Sequence, residues 1–502
     1  MHLKVEQLIN EVKIAIIGSG FSSLSNACYL AQQGHQVNVF EKNSSLGGRA
    51  RSMQKKGFTF DMGPSWYWMP DVFESFFADF GKKVSDFYEL KRLDPSYRVF
   101  WKDQPDDIPA KMEDLEAYFE KYEPGSTANL RKFLAEAKIK YEVGMGDFVT
   151  KPSLSVSEFI SVDTARKGLS LDLFKSISKH IRQHFKHPKL IELLEFPVLF
   201  LGAKPQNTPS LYSLMNYADI VLGTWYPMGG MNEIVKAMVS VAEEQGVVFH
   251  TDANVEHIKT QGNRALGLIV NGKFLEADVV VSGADYHHTE QRLLSEKYRN
   301  YDEKYWAKRT MAPSSLLYYV GLNKKIDGIK HHNLFFDESF DNHAVEIYDT
   351  HKWPQAPLFY ICNPSKTDDS VAPEGKENLF FLVPVSTELK DNEPTKKRYF
   401  NMICDRLQKH TGQDIRPHIE VYENFAHSDF VQDYNSFKGN AYGLANTLKQ
   451  TAILKPRCKN KKLENLYYIG QLTVPGPGVP PSIISGKIVA DLIKEEKHES
   501  II

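Results

Sequence analysis

At 502 residues the chain is several times the usual size of one folding unit, so two or three domains around a large core are expected. A hydrophobic share of 42% and a charged share of 25% are ordinary globular values, and a net charge of -2 argues against a polyanion binder, whose hold on phosphate backbones rests on surplus Lys and Arg. No nucleic-acid partner is expected. Cys28, Cys362, Cys404 and Cys458 lie far apart with no CxxC or Cys/His ligand spacing, which predicts neither a disulfide frame nor a metal site and fits a reducing, cytosolic setting. Met1–Gln7 has no apolar run of a secretion signal, and the longest apolar stretch, Phe196–Ala203, is far short of the roughly 20 residues that span a bilayer.

In chain order, Lys13-Ile14-Ala15-Ile16-Ile17 reads as a buried parallel strand that runs into Gly18-Ser19-Gly20 and then a helix with Leu24, Ala27, Leu30 and Ala31 inward. Gly18 permits the tight turn, and Gly20 lets the backbone approach a pyrophosphate, whose charge meets the free N–H groups and positive dipole end of the helix. Ser23 stands where the motif has Gly or Ala, so the match is imperfect. Its continuation restores it: Gln36–Phe40 is the next strand, and Glu41 at its end is placed to accept the ribose hydroxyls of an adenosine. Strand, turn, helix, strand and acid in that order predict a dinucleotide-binding βαβ unit.

Farther along, Leu171–His187 is amphipathic. Leu173, Phe174, Ile177, Ile181 and Phe185 form the apolar stripe, and Lys175, Lys179, Arg182 and Lys186 charge the remainder. An interfacial membrane helix and a surface helix packed on the core both fit that pattern. His180, His184 and His187 have no HExxH spacing or nearby carboxylate and read as solvated side chains. A middle block follows with Gly229-Gly230-Met231, a helix to Glu244, a strand at Val247–His250, turn signals around Ala265–Val270, and a buried strand in Ala277–Val281. Near the C-terminus, Asn465–Gly470 is a strand ending in Gly, Gln471–Pro481 is rich in Pro and Gly, and a helix begins with Ser482 as its expected N-cap.

The spacing Glu41-x(5)-Gly47-Gly48-Arg49 resembles the FAD-dependent amine oxidase and carotenoid desaturase superfamily. With the run Asp61-Met62-Gly63-Pro64-Ser65-Trp66-Tyr67-Trp68-Met69-Pro70 and the Pro475–Pro481 turn, the chain is similar over most of its length to bacterial-type phytoene desaturases. The resemblance implies an α/β fold: a Rossmann-type FAD-binding domain, parallel sheet plus β-meander, assembled from residues 1–75, 221–294 and 451–502. An inserted α+β substrate domain takes residues 76–220 and 295–450. It further implies FAD as the sole redox cofactor, with contacts from Gly18, Gly20, Phe21, Ser22, Glu41, Lys42, Gly48, Arg49, Val255, Gly470, Gly478, Val479 and Pro480. Arg49 brings a delocalised cation to the diphosphate, and Val255 meets the adenine through its backbone. Gln471 departs from the acidic residue common at its position, and its amide still offers a hydrogen bond to ribityl or phosphate.

The implied substrate is a C40 polyene, phytoene going to lycopene, with an allylic C–H giving hydride to flavin N5 and no side chain assigned a catalytic role. A hydrocarbon has no polar handle, so recognition falls to the length and shape of a tunnel. Trp66, Tyr67, Trp68, Phe196, Phe200, Trp225 and Tyr226 are its candidate lining and equally candidate core. So insoluble a substrate predicts association with a membrane surface, the inner face of the cell membrane. Three rivals share the fold: a 3,4-desaturase of a hydroxylated or monocyclic carotenoid, a flavin amine or protoporphyrinogen oxidase, and a prenyl-binding protein of the GDP-dissociation-inhibitor type.

Overall fold

The structure, a computed structural model, describes residues 12–155, 158, 175–447 and 449–499. The apolar strand Lys13–Ile17 lies at the centre of a five-stranded parallel sheet in the order Leu466–Tyr468, Val279–Ser282, Lys13–Ile17, Gln36–Phe40, Val248–His250. From Ile14 to Ile17 its residues are buried on both faces, as a parallel sheet covered on each side requires. One face carries the helices Phe21–Gln32, Asn232–Glu244 and Val479–Glu499, and the other is packed under a three-stranded antiparallel meander, Val255–Gln261, Arg264–Val270 and Lys273–Glu276.

The helices Phe21–Gln32 and Val479–Glu499 touch backbone to backbone. Asn26 Nδ2 donates to Gly486 O at 2.8 Å and Ser25 Oγ to Ile483 O at 2.7 Å. A Cβ on Gly486 would stand 2.5 Å from Ser22 O, so only the missing side chain permits that approach. The contact fixes the start of the last helix beside the first Gly-rich turn. That helix begins at Val479 and not at Ser482. Pro480 and Pro481, with φ already preset, occupy its first turn, and the Ser482 hydroxyl donates to Gly478 O at 2.7 Å from inside the helix.

A second sheet of seven strands runs in the order Ile419–Phe425, Ser314–Leu322, Glu377–Val385, Phe359–Cys362, His332–Phe336, Tyr97–Trp101, Pro105–Ile108. All its pairs are antiparallel except His332–Phe336 with Tyr97–Trp101. Alternation sends Leu316, Tyr318, Phe335, Phe359 and Phe381 to one face, under the helix Glu393–Thr411. Leu317, Tyr319, Leu334, Phe336, Tyr360 and Phe380 go to the other, where the largest core forms with Leu130, Phe133, Ile181 and Leu194 of the helical layer.

The helical layer answers part of the question left by the amphipathic segment. The helix runs over Ile177–His184, capped by the Ser176 hydroxyl, which accepts from Lys179 N at 3.3 Å. Ile177, Ile181 and Phe185 are buried in the core while Lys179, Arg182 and Lys186 are exposed, so this part of the stripe packs inward. Leu173 and Phe174 lie outside the described residues. The expectation of solvated histidines is corrected: His180 is 2% exposed, and His180 Nε2 and His184 Nε2 approach Glu136 Oε2 at 3.4 and 3.6 Å. The carboxylate comes from the neighbouring helix Ser126–Val143, beyond the reach of a local motif. Among the described residues no helix is long and apolar enough to cross a membrane.

Candidate active site

Every residue assigned to cofactor contact from the sequence lines one cavity of about 440 Å³. Gly18, Gly20, Phe21 and Ser22 form its floor at the N-terminus of the first helix. Gly20 offers no side-chain cap, so the N–H groups of the first turn face the cavity with a favourable dipole for an anion. Gly48 closes over Gly20 with φ +55, and a Cβ on it would stand 3.2 Å from Gly20 Cα, so a side chain here meets both an unfavourable backbone conformation and a crowded neighbour.

Glu41 is 5% exposed. Its Oε2 accepts from Ser19 N at 3.1 Å and Ser19 Oγ at 2.7 Å, and its Oε1 accepts from Asn43 N at 2.9 Å. These bonds aim the carboxylate and leave lone pairs over for a diol. The Lys42 amine donates to Gln432 O. Val255 reaches the cavity beside Ala253 and Asn254 from the start of the meander, and Gly470, Gly478, Val479 and Pro480 enter from the last strand and helix.

Arg49 carries the fit to a diphosphate. Its Nη2 donates to Ser436 Oγ and to Asn440 O, its guanidinium lies 5.1 Å from the Tyr434 ring, and its Nε is buried without a partner. Among the described residues it forms no salt bridge. A cation held in place on a cavity wall, attracted by Asp285 of the same wall but in no salt bridge with it, matches the diphosphate that FAD would present. The sequence reading missed Ser436, Tyr434 and Asn440, which come from a segment placed on the substrate side; the Asn435 and Gly439-Asn440 turn signals were the only trace of their bend. Gln471 lines the same cavity and donates to Asn440 Oδ1 at 3.0 Å. His288, also on the wall, is pushed down to about 4, first by burial and then by Lys42.

Beyond the cradle the cavity continues into an apolar chamber. Trp66, Trp68 and Phe196 line one side with ring centroids 5.1 to 6.2 Å apart. Leu334, Phe336, Tyr360, Phe380 and Leu382 of the large sheet form the other. Tyr67, Trp225 and Tyr226 do not line it: extended backbone turns Tyr67 away from its neighbours, onto Phe73 at 4.2 Å, and Tyr226 packs against His331 at 4.6 Å. The Phe200 side chain lies outside the described set.

From Met62 to Met215 and from Pro313 to Phe430 the lining contains no Asp, Glu, Lys or Arg. His343, its most polar ring, accepts from Leu358 N at 3.1 Å through Nδ1 and donates from Nε2 to Pro384 O at 3.0 Å, a network that assigns it as neutral. Burial pushes it down to about 4, in agreement. Ser65, Ser315, Tyr348 and Tyr360 add uncharged hydroxyls to these stretches, and Tyr442 of the same cavity adds another. A bound FAD supplies the two-electron acceptor. The chain's own contribution is to seat the substrate, orient a C–H bond and exclude water.

Fold and cavity together define an FAD-dependent oxidoreductase in which a nucleotide cradle opens into an apolar chamber. The model of the family described as flavin containing amine oxidoreductase matches residues 22–494. The chain is 41% identical over 485 residues to a carotenoid 3,4-desaturase of Haloarcula japonica, covering 96% of this chain and 98% of that one. It is 30% identical to a zeta-carotene-forming phytoene desaturase of Myxococcus xanthus, covering 97% and 94%. Among solved structures, an oxidoreductase from Methanosarcina mazei superposes with a TM-score of 0.62 at 16% identity, covering 96% of this chain and all of that one, a likeness of fold alone. The chain belongs to the flavin-containing amine oxidoreductase family and, within it, to the FAD-dependent carotenoid desaturases that act on CH–CH groups.

Proposed function

We propose that the protein desaturates an acyclic carotenoid near one end of the chain, as a 3,4-desaturase, on a substrate whose end group carries a hydroxyl. The observation that carries this reading is the chamber wall: free of formal charge, as a polyene needs, yet furnished with the hydroxyls of Ser65, Ser315, Tyr348, Tyr360 and Tyr442. Tyr360 and Ser65 bond each other, so the hydroxyls left to face a substrate are those of Ser315, Tyr348 and Tyr442; against a pure hydrocarbon a hydroxyl without a partner costs about 1–3 kcal/mol, which an oxygenated end group offsets. The 41% identity to a carotenoid 3,4-desaturase points the same way. The acids of the cavity, Glu41, Asp285 and Asp433, lie with the cradle residues, Asp433 in a salt bridge with Arg51, and none is on the described lining from Met62 to Met215 or from Pro313 to Phe430, which weighs against an amine substrate, whose cation would need one.

Phytoene-to-lycopene desaturation is the second reading, favoured by the Trp66–Met69 run and the Pro475–Pro481 turn. A polyene of either kind dissolves in lipid, so this reading sets the protein on a membrane surface, on the inner face of the cell membrane. The exposed Lys179, Arg182 and Lys186 support it as a basic face toward anionic headgroups. The FAD-loaded protein incubated in liposomes with phytoene, with lycopene or with a hydroxylated acyclic carotene separates the two. Red-shifted product from the hydroxylated carotene alone supports the 3,4-desaturase. Conversion of phytoene with no conversion of the hydroxylated substrate rejects it for the second reading.

A further inference from the structure

One cluster of ligating side chains has no part in the cavity chemistry. One ligand atom from each of His331, His332 and Cys362 lies within 4.8 Å of the other two, and the three residues are 5%, 0% and 4% exposed. Strand pairing brings them together. His332 opens the strand His332–Phe336, and the antiparallel register sets Cys362 of the strand Phe359–Cys362 directly opposite it, on the same sheet face. The His331 ring meets that of His332 at 4.5 Å.

The hydrogen bonds are those of a ligand pair. His331 Nδ1 is bonded to the Thr367 hydroxyl at 2.8 Å and His332 Nδ1 to the Tyr360 hydroxyl at 2.6 Å, while Nε2 of each ring is buried without a partner. In metal sites the non-ligating nitrogen is held in this way by an oxygen, which fixes tautomer and ring angle. An ion at the centre of the triangle, whichever ring nitrogens form it, would stand at most about 2.8 Å from each ligand atom, and ring rotation would bring Nε2 of both rings to the ion at zinc bond lengths. Two imidazoles and a thiolate suit a borderline-soft divalent ion and leave one positive charge. Asp368 acts electrostatically on His331, and Asp61 on Cys362, to offset it.

We propose that His331, His332 and Cys362 bind one zinc-class divalent cation, with the fourth position open. As the sulfur–metal bond forms, the Cys362 S–H bond breaks and its proton leaves to solvent. Tyr360 bonds both His332 Nδ1 and, at 3.1 Å, Ser65 Oγ on the chamber wall, so the ion would brace that wall from behind.

The test uses the full chain with FAD bound. Chelator-stripped protein is titrated with Co²⁺, and ligand-field absorption is read at wavelengths beyond the flavin's. Expected are one Co²⁺ per chain, a tetrahedral thiolate-type spectrum, loss of that spectrum in Cys362→Ser, and affinity weakened about tenfold or more in Thr367→Val, each variant keeping its flavin. No such spectrum in the wild type, or one that persists in Cys362→Ser, overturns the site. A spectrum lost in His184→Gln instead assigns the ion to Glu136, His180 and His184 and also overturns it. Should Cys362→Ser not fold, proton release on Co²⁺ binding to the wild type decides: about one per ion supports the thiolate, none rejects it.

Discussion

Ser23 sits where a dinucleotide-binding turn needs a small residue for close helix–strand packing, and the space for it comes from Gly283. A Cβ on Gly283 would stand 2.1 Å from Ser23 Oγ. Gly283→Ala is therefore expected to destabilise the protein by about 1–3 kcal/mol through overpacking. Ser23→Ala in the same chain should recover most of it, a non-additivity that denaturant unfolding of the four variants measures. Arg49 makes a prediction of a different kind. It makes no salt bridge among the described residues, though Asp285 attracts it, so Arg49→Leu should change the melting temperature of the flavin-free protein little. FAD affinity should fall about 10- to 100-fold, the worth of one charge-assisted contact, as read by flavin fluorescence titration. Glu41, Gly48 and Arg49 stood out in the sequence because their spacing is local. Gly283 did not, because its meaning depends on a residue across the sheet.

At the scale of elements, strands with apolar runs rich in Ile and Val were legible, since only a covered parallel sheet buries them on both faces, and Ile14–Ile16 against Val279–Val281 is such a pair. The amphipathic stretch was legible as a helix and not in its partner: the same stripe suits lipid or protein, and packing alone puts Ile177, Ile181 and Phe185 in the core. Helix-to-helix contact was not readable at all, because Gly486 looks like any helical glycine until Ser22 O is found beside it. Gly486→Val is expected to push the last helix off the first, at about 2–3 kcal/mol or more since backbone atoms cannot yield. Val479 and Pro480 then move away from Ser22. Loss of bound flavin before loss of fold, followed by visible absorption and circular dichroism on one heating ramp, is the expected order. Simultaneous loss in this variant and the wild type would show that the contact does not position the cradle.

The whole molecule joins its layers through buried polar networks that no sequence period reveals. Asp219 is the hub of one. Its Oδ2 accepts from Tyr97 of the large sheet at 2.9 Å, and its Oδ1 from the Thr224 hydroxyl at 3.1 Å; Thr224 Oγ1 in turn accepts from the indole of Trp68, on the chamber wall, at 2.8 Å. Burial pushes the Asp219 carboxyl up to about 7 from an ordinary 3.8, against the lowering effect of these donors. The folded state thus binds a proton that the unfolded state has released at any pH between those values. Stability attributable to Asp219 is greatest on the acid side and falls as pH rises from about 4 toward 7, by up to about 4 kcal/mol. Other carboxyls titrate in the same window, some in the opposite sense, so the informative quantity is the difference between wild type and Asp219→Asn. The amide mimics the protonated acid at every pH. The two proteins should differ least near pH 4, and the variant should become the more stable as pH rises, by several degrees near pH 8. A wild type that stays equal to the variant across that range would mean that Asp219 keeps an ordinary carboxylate pKa, and that the network linking sheet, helix and chamber wall is held by a charge.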